Sequence, residues 1–254
     1  MADALAHRGP DDAGIWLDSE AGVALAHRRL SVLDLTPEGH QPMHSTAGRW
    51  IIVFNGEIYN HAELRAAMGD HAWRGHSDTE VLLEAVARWG VASALGKSVG
   101  MFAFALWDKQ ESKLYFARDR LGEKPLYYGL QGGVLLFGSE LKALRKHPAW
   151  AGKIDRAALS AYLRYGYVPA PHSIFQGIHK LPPGTWVAFD AKLNVLGKPQ
   201  AYWSAVEAAR RGQSLRVPRH VLDIEDEAVR LLRQTIRDQR MADVPLGTFL
   251  SGGI

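Results

Sequence analysis

Hydrophobic and polar residues follow two different spacings along the chain, and together they predict a protein of mixed α and β structure. Runs rich in β-branched and aromatic residues predict strands at 50–54, 102–107, 113–117, 125–130, 134–137 and 185–189. Apolar residues three and four positions apart predict helices at 61–68, 78–89, 140–147, 156–165 and about 224–241. The strands between residues 100 and 139 follow one another at short intervals, so we expect a β-meander there.

Capping residues mark the start of two of these helices. Ser77 is placed to cap the helix at 78–89, and Glu80 follows three residues later, which predicts a capping box. Asp155 stands in the same position before the helix at 156–165. Residues 165–184 contain four prolines, which argue against helix and predict an irregular connection.

The pair Asn55-Gly56 follows the apolar run at 50–54 and predicts a turn at the end of that strand. Such a turn can present a side-chain amide beside a backbone N–H. Two neutral donors of this kind can hold a developing oxyanion. From these two residues alone, an ordinary hairpin turn is the more common explanation.

Composition and charge exclude several classes of function. The 30 basic and 27 acidic residues are interspersed and leave a net charge of +3, so we expect neither a nucleic acid nor a membrane as partner. No long apolar segment or signal core occurs, which favours a cytoplasmic location. These 254 residues contain no cysteine, which excludes disulfides and a cysteine nucleophile among them. Pro42 separates His40 from His44, and we expect no metal site.

Four short motifs carry a resemblance to class II glutamine amidotransferases. They read HRGPD at 7–11, RLSV at 29–32, NGEIYN at 55–60 and SDTE at 77–80, and they stand in the order and approximate spacing of that family. Each motif is unspecific by itself, whereas the combination is highly specific. The chain most resembles the glutaminase domain of glutamine-hydrolysing asparagine synthetases, and the resemblance covers nearly its whole length.

The resemblance implies a glutamine site and a role for each residue in it. Arg29 would hold the α-carboxylate of glutamine, and Glu57 and Asp78 would hold its α-ammonium group. Asn55 and Gly56 would stabilise the oxyanion formed when a cysteine thiolate attacks the side-chain amide. The remaining residues of the second motif, Leu30, Ser31 and Val32, would also contact glutamine. From the residues alone, Asp78 can equally serve the helix dipole, and the arginine can lie on a solvated strand face.

A second resemblance lies at the C-terminal end. Ser251-Gly252-Gly253 follows an apolar run and is similar to the opening of the pyrophosphate loop of ATP-dependent asparagine synthetases. It implies ATP and Mg²⁺ as cofactors, with Leu250 near the adenine and Ser251, Gly252 and Gly253 on the phosphates. Aspartate would be the acceptor, activated as β-aspartyl-AMP. A Ser-Gly-Gly sequence alone is more typical of a plain loop.

The resemblance also implies the fold and the division of the chain. We expect an α+β fold, with a four-layer α/β/β/α sandwich of the N-terminal-nucleophile amidotransferase type at 1–190. Residues 191–254 would form a linker and the beginning of an α/β nucleotide-binding domain of the ATP-pyrophosphatase type. The family's first strand and its cysteine have no counterpart here. We therefore expect a chain truncated at both ends, inactive alone and with one bared sheet edge; the parent could form a homodimer.

Two other interpretations stay open at this point. The parent could be an asparagine-synthetase-like enzyme with a retired glutaminase domain, as in β-lactam synthetases, although the set of glutamine-binding residues argues against that. The chain could also be a non-catalytic binding module of amidotransferase type. The Ser-Gly-Gly sequence argues against this second interpretation, because such a module would not require it.

Overall fold

The computed structural model of the chain describes residues 1–190, 192, 195, 197–214, 221–249 and 252. The strands are β1 (Asp12–Asp18), β2 (Val23–Arg29), β3 (Met43–His44), β4 (Trp50–Ile58), β5 (Gly100–Asp108), β6 (Lys113–Arg118), β7 (Tyr127–Gln131), β8 (Val134–Gly138), β9 (Ile178–Lys180), β10 (Thr185–Asp190) and β11 (Gln200–Ala201). The α-helices are α1 (His61–Met68), α2 (Asp78–Trp89), α3 (Val91–Lys97), α4 (Leu141–Leu144), α5 (Arg156–Tyr165), α6 (Ala205–Ser214) and α7 (Val221–Asp238). Two 3₁₀ helices span Ala2–Arg8 and Pro37–Gly39.

A six-stranded antiparallel sheet with the order β11-β10-β6-β5-β4-β3 forms the centre of the fold. Because successive side chains of a strand point to opposite faces, Ile52 and Phe54 of β4 enter one hydrophobic cluster. Ile51 and Val53 enter another. Both faces of the central sheet are therefore buried, which explains why β4 is apolar at consecutive positions.

One face of the central sheet packs against α1, α2 and α3. Helix α2 supplies the apolar row Val81, Leu82, Ala85 and Val86, all of which are buried. These side chains belong to the same cluster as Phe54. The packing fixes the first turn of α2 beside the end of β4.

The opposite face of the central sheet packs against two smaller sheets. One is the β1–β2 hairpin, and the other has the order β8-β7-β9. Phe116 of β6 joins the layers, because its ring lies 5.7 Å from Tyr128 and 5.0 Å from Phe137, centroid to centroid. On the outer side of the three-stranded sheet, Leu136 packs with Leu144 of α4 and with residues of the first 3₁₀ helix.

The mixed α and β character predicted from the sequence is confirmed. The predicted helices at 61–68, 78–89 and 156–165 coincide with α1, α2 and α5, and the predicted strands recur as β4, β5, β6, β7, β8 and β10. The side chain of Asp155 accepts the N–H groups of Ala157 and Ala158 and caps α5 as expected. Strands β1, β3, β9 and β11 and helices α3 and α6 were not predicted.

The β-meander expected between residues 100 and 139 is wrong, because its strands belong to two sheets. Strands β5 and β6 lie in the central sheet, whereas β7 and β8 lie in the three-stranded one. The chain changes direction after Asp119. The carboxylate of Asp119 is fully buried and accepts the N–H groups of Leu121, Glu123 and Lys124, so it holds the connecting turn.

Two helix details also differ from the prediction. Ser77 caps α2 by accepting the N–H of Glu80, but the capping box is incomplete, because the Glu80 carboxylate accepts the N–H groups of Arg74 and Gly75 instead. The helix expected at 140–147 is reduced to α4. Beyond it the N–H of His147 bonds to the carbonyl three residues earlier, as in a tighter turn.

The C-terminal part of the described chain contains α7, which lies three residues earlier than predicted at both ends, at 221–238 instead of 224–241. Its apolar residues Leu231, Leu232 and Ile236 are exposed. The apolar run before Ser251 forms no strand over the described residues 244–249. Among the described helices, none is both long and apolar enough to cross a membrane.

Candidate functional site

A cavity of about 910 Å³ lies where β2, the end of β4 and the start of α2 meet. Its lining includes most of the residues that the sequence assigns to a glutamine site: Arg29, Leu30, Val32, Asn55, Gly56, Glu57 and Asp78. Ser31 is absent from the lining, and its backbone N–H is bonded to the Asp11 carboxylate at 2.8 Å. The fold therefore brings together residues from three separate motifs.

Asn55 and Gly56 do not form the predicted turn. Strand β4 continues to Ile58, and both residues are paired with β5, Asn55 opposite Ala103 and Gly56 opposite Phe102. Gly56 has φ +155°, and a Cβ there would lie 2.6 Å from the Phe102 Cα. Glycine is thus needed because the β5 backbone approaches closely, and not because the chain reverses.

The side-chain amide of Asn55 is a free donor facing this cavity. Its Nδ2 atom is buried, and in the described part of the structure it has no hydrogen-bond partner. Buried polar atoms are nearly always paired, so an exception in a cavity indicates a place for an acceptor. The arrangement fits the oxyanion-binding role that the sequence predicts for Asn55, although on a strand instead of a turn.

Two carboxylates, those of Glu57 and Asp78, line the same cavity as this amide. Asp78 is buried in the first turn of α2 and accepts the N–H of Ile58 at 2.7 Å. Burial raises the pKa of Asp78 to about 6, against the opposing effect of that hydrogen bond. Burial also raises the pKa of Glu57, and the charge of Asp78 adds to the effect. Two carboxylates whose ionisation is disfavoured by burial form a suitable place for a cation.

Arg29 is buried at the end of β2 and is held by the loop that follows it. Its guanidinium donates to the backbone carbonyls of Thr36 at 3.4 Å and Leu33 at 3.1 Å, and also to that of Asp34. A guanidinium has five N–H donors, so these three bonds leave capacity for a carboxylate. The neighbouring Arg28 pairs with Asp3 instead, which agrees with the choice of Arg29 as the candidate clamp.

Sequence reasoning missed two residues that support the site, Gln41 and His27. The buried Gln41 accepts the N–H of Phe54 at 2.6 Å and lies 3.4 Å from the Thr79 hydroxyl. His27 lies 2.9 Å from the Phe54 carbonyl oxygen, and burial lowers its pKa to about 4, which keeps it neutral near pH 7. No local motif marks either of the two, because each contacts Phe54 of β4 from another part of the chain.

The cavity extends along two strand edges that pair with nothing among the described strands. Strand β2 is bonded to β1 on one side, and β8 is bonded to β7 on one side. The lining includes Ala24 and Ala26 of β2, residues 134–138 of β8, and Val53 and Ala105 of the central sheet. The free edges of β2 and β8 thus border the same cavity.

The candidate nucleotide residues Leu250, Ser251 and Gly253 lie outside the described residues. Gly252 is described and is exposed. Within the described ranges, no group of three or more histidine, aspartate or glutamate side chains is placed to hold a metal ion.

The chain belongs to the glutamine amidotransferase family, because the family model described as a glutamine amidotransferase domain matches residues 1–203. It is 37% identical over 264 residues to asparagine synthetase [glutamine-hydrolyzing] 3 of Bacillus subtilis, covering 100% of this chain and 40% of that protein. It is 33% identical over 272 residues to a putative asparagine synthetase of Methanocaldococcus jannaschii, covering 100% of this chain and 51% of the relative. These matches confirm the resemblance drawn from the motifs.

The relatives are longer than the chain, which spans about half or less of the length of these synthetases. The fungal protein named amidase chry2, from Gibberella zeae, is 33% identical over 256 residues, covering 99% of this chain and 36% of that protein. These matches show the family of this chain and the presence of a glutamine amidotransferase domain.

Solved structures of amidotransferases are also similar. Glutamine phosphoribosylpyrophosphate amidotransferase of B. subtilis aligns with a TM-score of 0.48 at 19% identity, covering 72% of this chain and 35% of that one. A glutamine aminotransferase class-II domain protein from Silicibacter pomeroyi aligns with a TM-score of 0.42 at 16% identity, covering 74% of this chain and 91% of that one. The family assignment itself rests on the sequence matches.

Proposed function

We propose that this chain is the glutamine-binding part of a glutamine-hydrolysing synthetase of the asparagine synthetase type. In that role it would release ammonia from glutamine for an aspartate activated by ATP in another part of the protein. Glutamine would lie in the cavity with its α-carboxylate at Arg29 and its α-ammonium group between Glu57 and Asp78. Its side-chain carbonyl oxygen would face Asn55 and Gly56.

One observation carries this proposal: an unpartnered buried amide faces a cavity that also contains two carboxylates with raised pKa values. Glutamine supplies the missing partners of both features. Its ammonium group neutralises the carboxylates, and its side-chain oxygen accepts from the Asn55 amide. As negative charge develops on that oxygen, each aligned donor is worth about 3–4 kcal/mol in the transition state.

The proposed hydrolysis needs a nucleophile, and the 254 residues contain no cysteine. We propose that a cysteine on an additional strand supplies it, and that this strand pairs with the free edges of β2 and β8. The thiolate would attack the amide carbon of glutamine, ammonia would leave, and water would then release glutamate from the thioester. On this proposal the 254 residues bind glutamine without hydrolysing it.

The proposed fold and division of the chain follow the same reasoning. We propose a four-layer α/β/β/α arrangement for residues 1–190, supported by the helices, stacked sheets and three hydrophobic clusters described above. Residues 191–254 would lead into the synthetase domain. The roles of Leu250, Ser251, Gly252 and Gly253 toward ATP and Mg²⁺ remain proposals from the sequence, and no step of glutamine binding depends on them.

Calorimetric titration with three ligands tests the proposal. L-Glutamine has all three recognised groups, 4-carbamoylbutanoate lacks the ammonium group, and 4-aminobutanamide lacks the carboxylate. We expect binding of L-glutamine and at least a tenfold loss for each of the two analogues. Arg29→Lys should weaken glutamine binding, because lysine cannot form a bidentate contact with a carboxylate. Arg28→Lys is the matched control and should leave binding unchanged.

A coupled assay for glutamate release completes the test. No release by the 254 residues is expected, and release above the background of heat-inactivated protein would refute the need for an external nucleophile. Equal binding of L-glutamine and 4-carbamoylbutanoate would refute the role of the carboxylates. Failure of L-glutamine to bind at 20 mM would overturn the proposed function and favour a retired glutaminase domain of the β-lactam synthetase type.

A further inference from the structure

Asp34 forms hydrogen bonds with Arg29, His76 and Asp243. It is fully buried, and its φ of +58° is uncommon for a residue other than glycine. Its carbonyl oxygen accepts from the Arg29 guanidinium, and its carboxylate accepts the N–H of His76 at 2.9 Å. Its own N–H donates to the Asp243 carboxylate at 2.7 Å.

Asp243 belongs to the segment that follows α7 and leads toward Leu250. Besides accepting from the Asp34 N–H, its Oδ2 atom lies 2.7 Å from His76 Nε2. Its own N–H donates to the Val32 carbonyl oxygen at 2.9 Å. Hydrogen bonds from His76 and Asp34 lower the pKa of Asp243, so its carboxylate stays charged at neutral pH. A C-terminal residue is therefore anchored on the loop after β2.

These contacts connect both ends of the proposed glutamine site. Asp34 holds the Arg29 guanidinium through its carbonyl, so it acts on the group proposed for the α-carboxylate. His76 is two residues before Asp78, which is proposed for the α-ammonium group. Because Asp243 bonds to both Asp34 and His76, a displacement of its carboxylate would move both recognition groups.

We propose that Asp243 is a positioning residue for the glutamine site, and that it couples this site to the C-terminal segment that leads toward the candidate nucleotide residues. The proposal rests on the proposed function of the glutamine site. Coupling of this kind travels through a contiguous hydrogen-bond network with a defined geometry, which Asp34, His76 and Asp243 form here. Because coupling is reciprocal, glutamine binding should in turn stabilise the attachment of the segment around Asp243.

Two substitutions of Asp243 separate the loss of its hydrogen bonds from the loss of its charge. Asp243→Ala removes the acceptor of both the Asp34 N–H and His76. Asp243→Asn keeps one oxygen that can accept both donors but loses the charge. A positioning role predicts that the asparagine variant retains most of the function that the alanine variant loses. Asp226→Asn is the matched control, because it removes one charge from an exposed position of α7.

Two measurements on the 254-residue chain test the proposal. Hydrogen–deuterium exchange read by mass spectrometry reports on the loop at 30–36 and on His76 without any ligand. We expect Asp243→Ala to speed exchange there about tenfold, while peptides of β5 and β6 stay unchanged. L-Glutamine titration should then show binding weakened about 3- to 10-fold by Asp243→Ala and less than twofold by Asp243→Asn. Asp226→Asn should match the unchanged protein in both measurements.

The two measurements also separate this proposal from the proposed function. Unchanged exchange at 30–36 in Asp243→Ala would overturn the positioning role, whatever happens to glutamine. Equal glutamine affinity of Asp243→Ala and the unchanged protein would overturn the coupling. Uniformly faster exchange across β5 and β6 would mean global destabilisation and would also count against it. If the unchanged protein fails to bind glutamine, the proposed function fails, and the exchange result alone decides whether Asp243 positions the loop.

Discussion

Replacing Asp78 with asparagine should stabilise the folded protein at neutral pH and abolish glutamine binding. The carboxylate is buried, and it accepts the N–H of Ile58. An asparagine oxygen can accept that same bond without carrying a charge. The site would thus lose its partner for the ammonium group and at the same time lose an unfavourable buried charge.

The size of the stability change follows from the pKa of Asp78, which burial raises from 3.8 to about 6. One pKa unit corresponds to about 1.4 kcal/mol, so ionising this group in the folded state costs about 3 kcal/mol. Because the folded pKa lies above the unfolded one, the contribution of Asp78 to stability is fully present below about pH 4. It is lost as the pH rises through about 6.

Urea unfolding followed by tryptophan fluorescence measures this difference. We expect Asp78→Asn and the unchanged protein to have similar free energies of unfolding near pH 4. By about pH 7.5 the variant should be more stable by about 3 kcal/mol. Asp70→Asn, at an exposed position, is the control for the loss of one negative charge and should show no such trend. A constant difference between pH 4 and 7.5 would refute the reasoning from burial.

The ionisation of Asp78 should also make the affinity for glutamine depend on pH. The ammonium group of glutamine favours ionised Asp78, so binding below about pH 6 requires the loss of a proton. Affinity should therefore fall as the pH decreases from 7 to 5, by up to about tenfold per pH unit. Titration calorimetry in two buffers of different ionisation enthalpy would measure the released proton directly. A pH-independent affinity over this range would contradict the placement of the ammonium group at Asp78.

Two further predictions concern the framework of the site, and urea unfolding tests both. Gly56→Ala would place a Cβ 2.6 Å from the Phe102 Cα and should cost about 2–4 kcal/mol. Gly48→Ala, also at positive φ but with open space around it, should cost clearly less, and equal losses would show that the close approach of β5 is unimportant. Asp119→Ala leaves four backbone N–H groups without their acceptor and should cost about 3–5 kcal/mol; a loss as small as that of the exposed Asp70→Ala would contradict the role of Asp119 in the turn.

Apolar spacing and capping residues predicted the helices correctly where short-range interactions determine the structure. Helices α1 and α2 were found because their apolar spacing agrees with the packing that each helix meets, and α2 and α5 also have the capping residues Ser77 and Asp155. The same signals failed at Asn55-Gly56. This dipeptide favours a turn in isolation, but pairing with β5 extends β4 through it. The role of Gly56 is set by the neighbouring backbone, which lies more than forty residues further along the chain.

The candidate site, like the fold, was predicted only in part from the sequence. The motifs identified Arg29, Asn55, Glu57 and Asp78, and the fold brings them to one cavity. The contacts of Gln41 with Phe54 and Thr79 could not be predicted, because they join three segments that carry no common pattern. The division of strands β5 to β8 between two sheets was also beyond local reasoning, since it depends on the pairing of β6 with β10 and of β7 with β9.

The continuous pairing of β4 with β5 through Asn55 and Gly56 has a consequence for how the site would work. Residues on adjacent, fully bonded strands keep a fixed separation, so the proposed donors would need no induced fit to reach their catalytic arrangement. Recognition would then depend on bringing the substrate and the nucleophile to a rigid pair of donors. Selection among amides would act at the outer groups, above all at Arg29 and Asp78, because Arg29 is held by the loop after β2 and Asp78 lies in the first turn of α2.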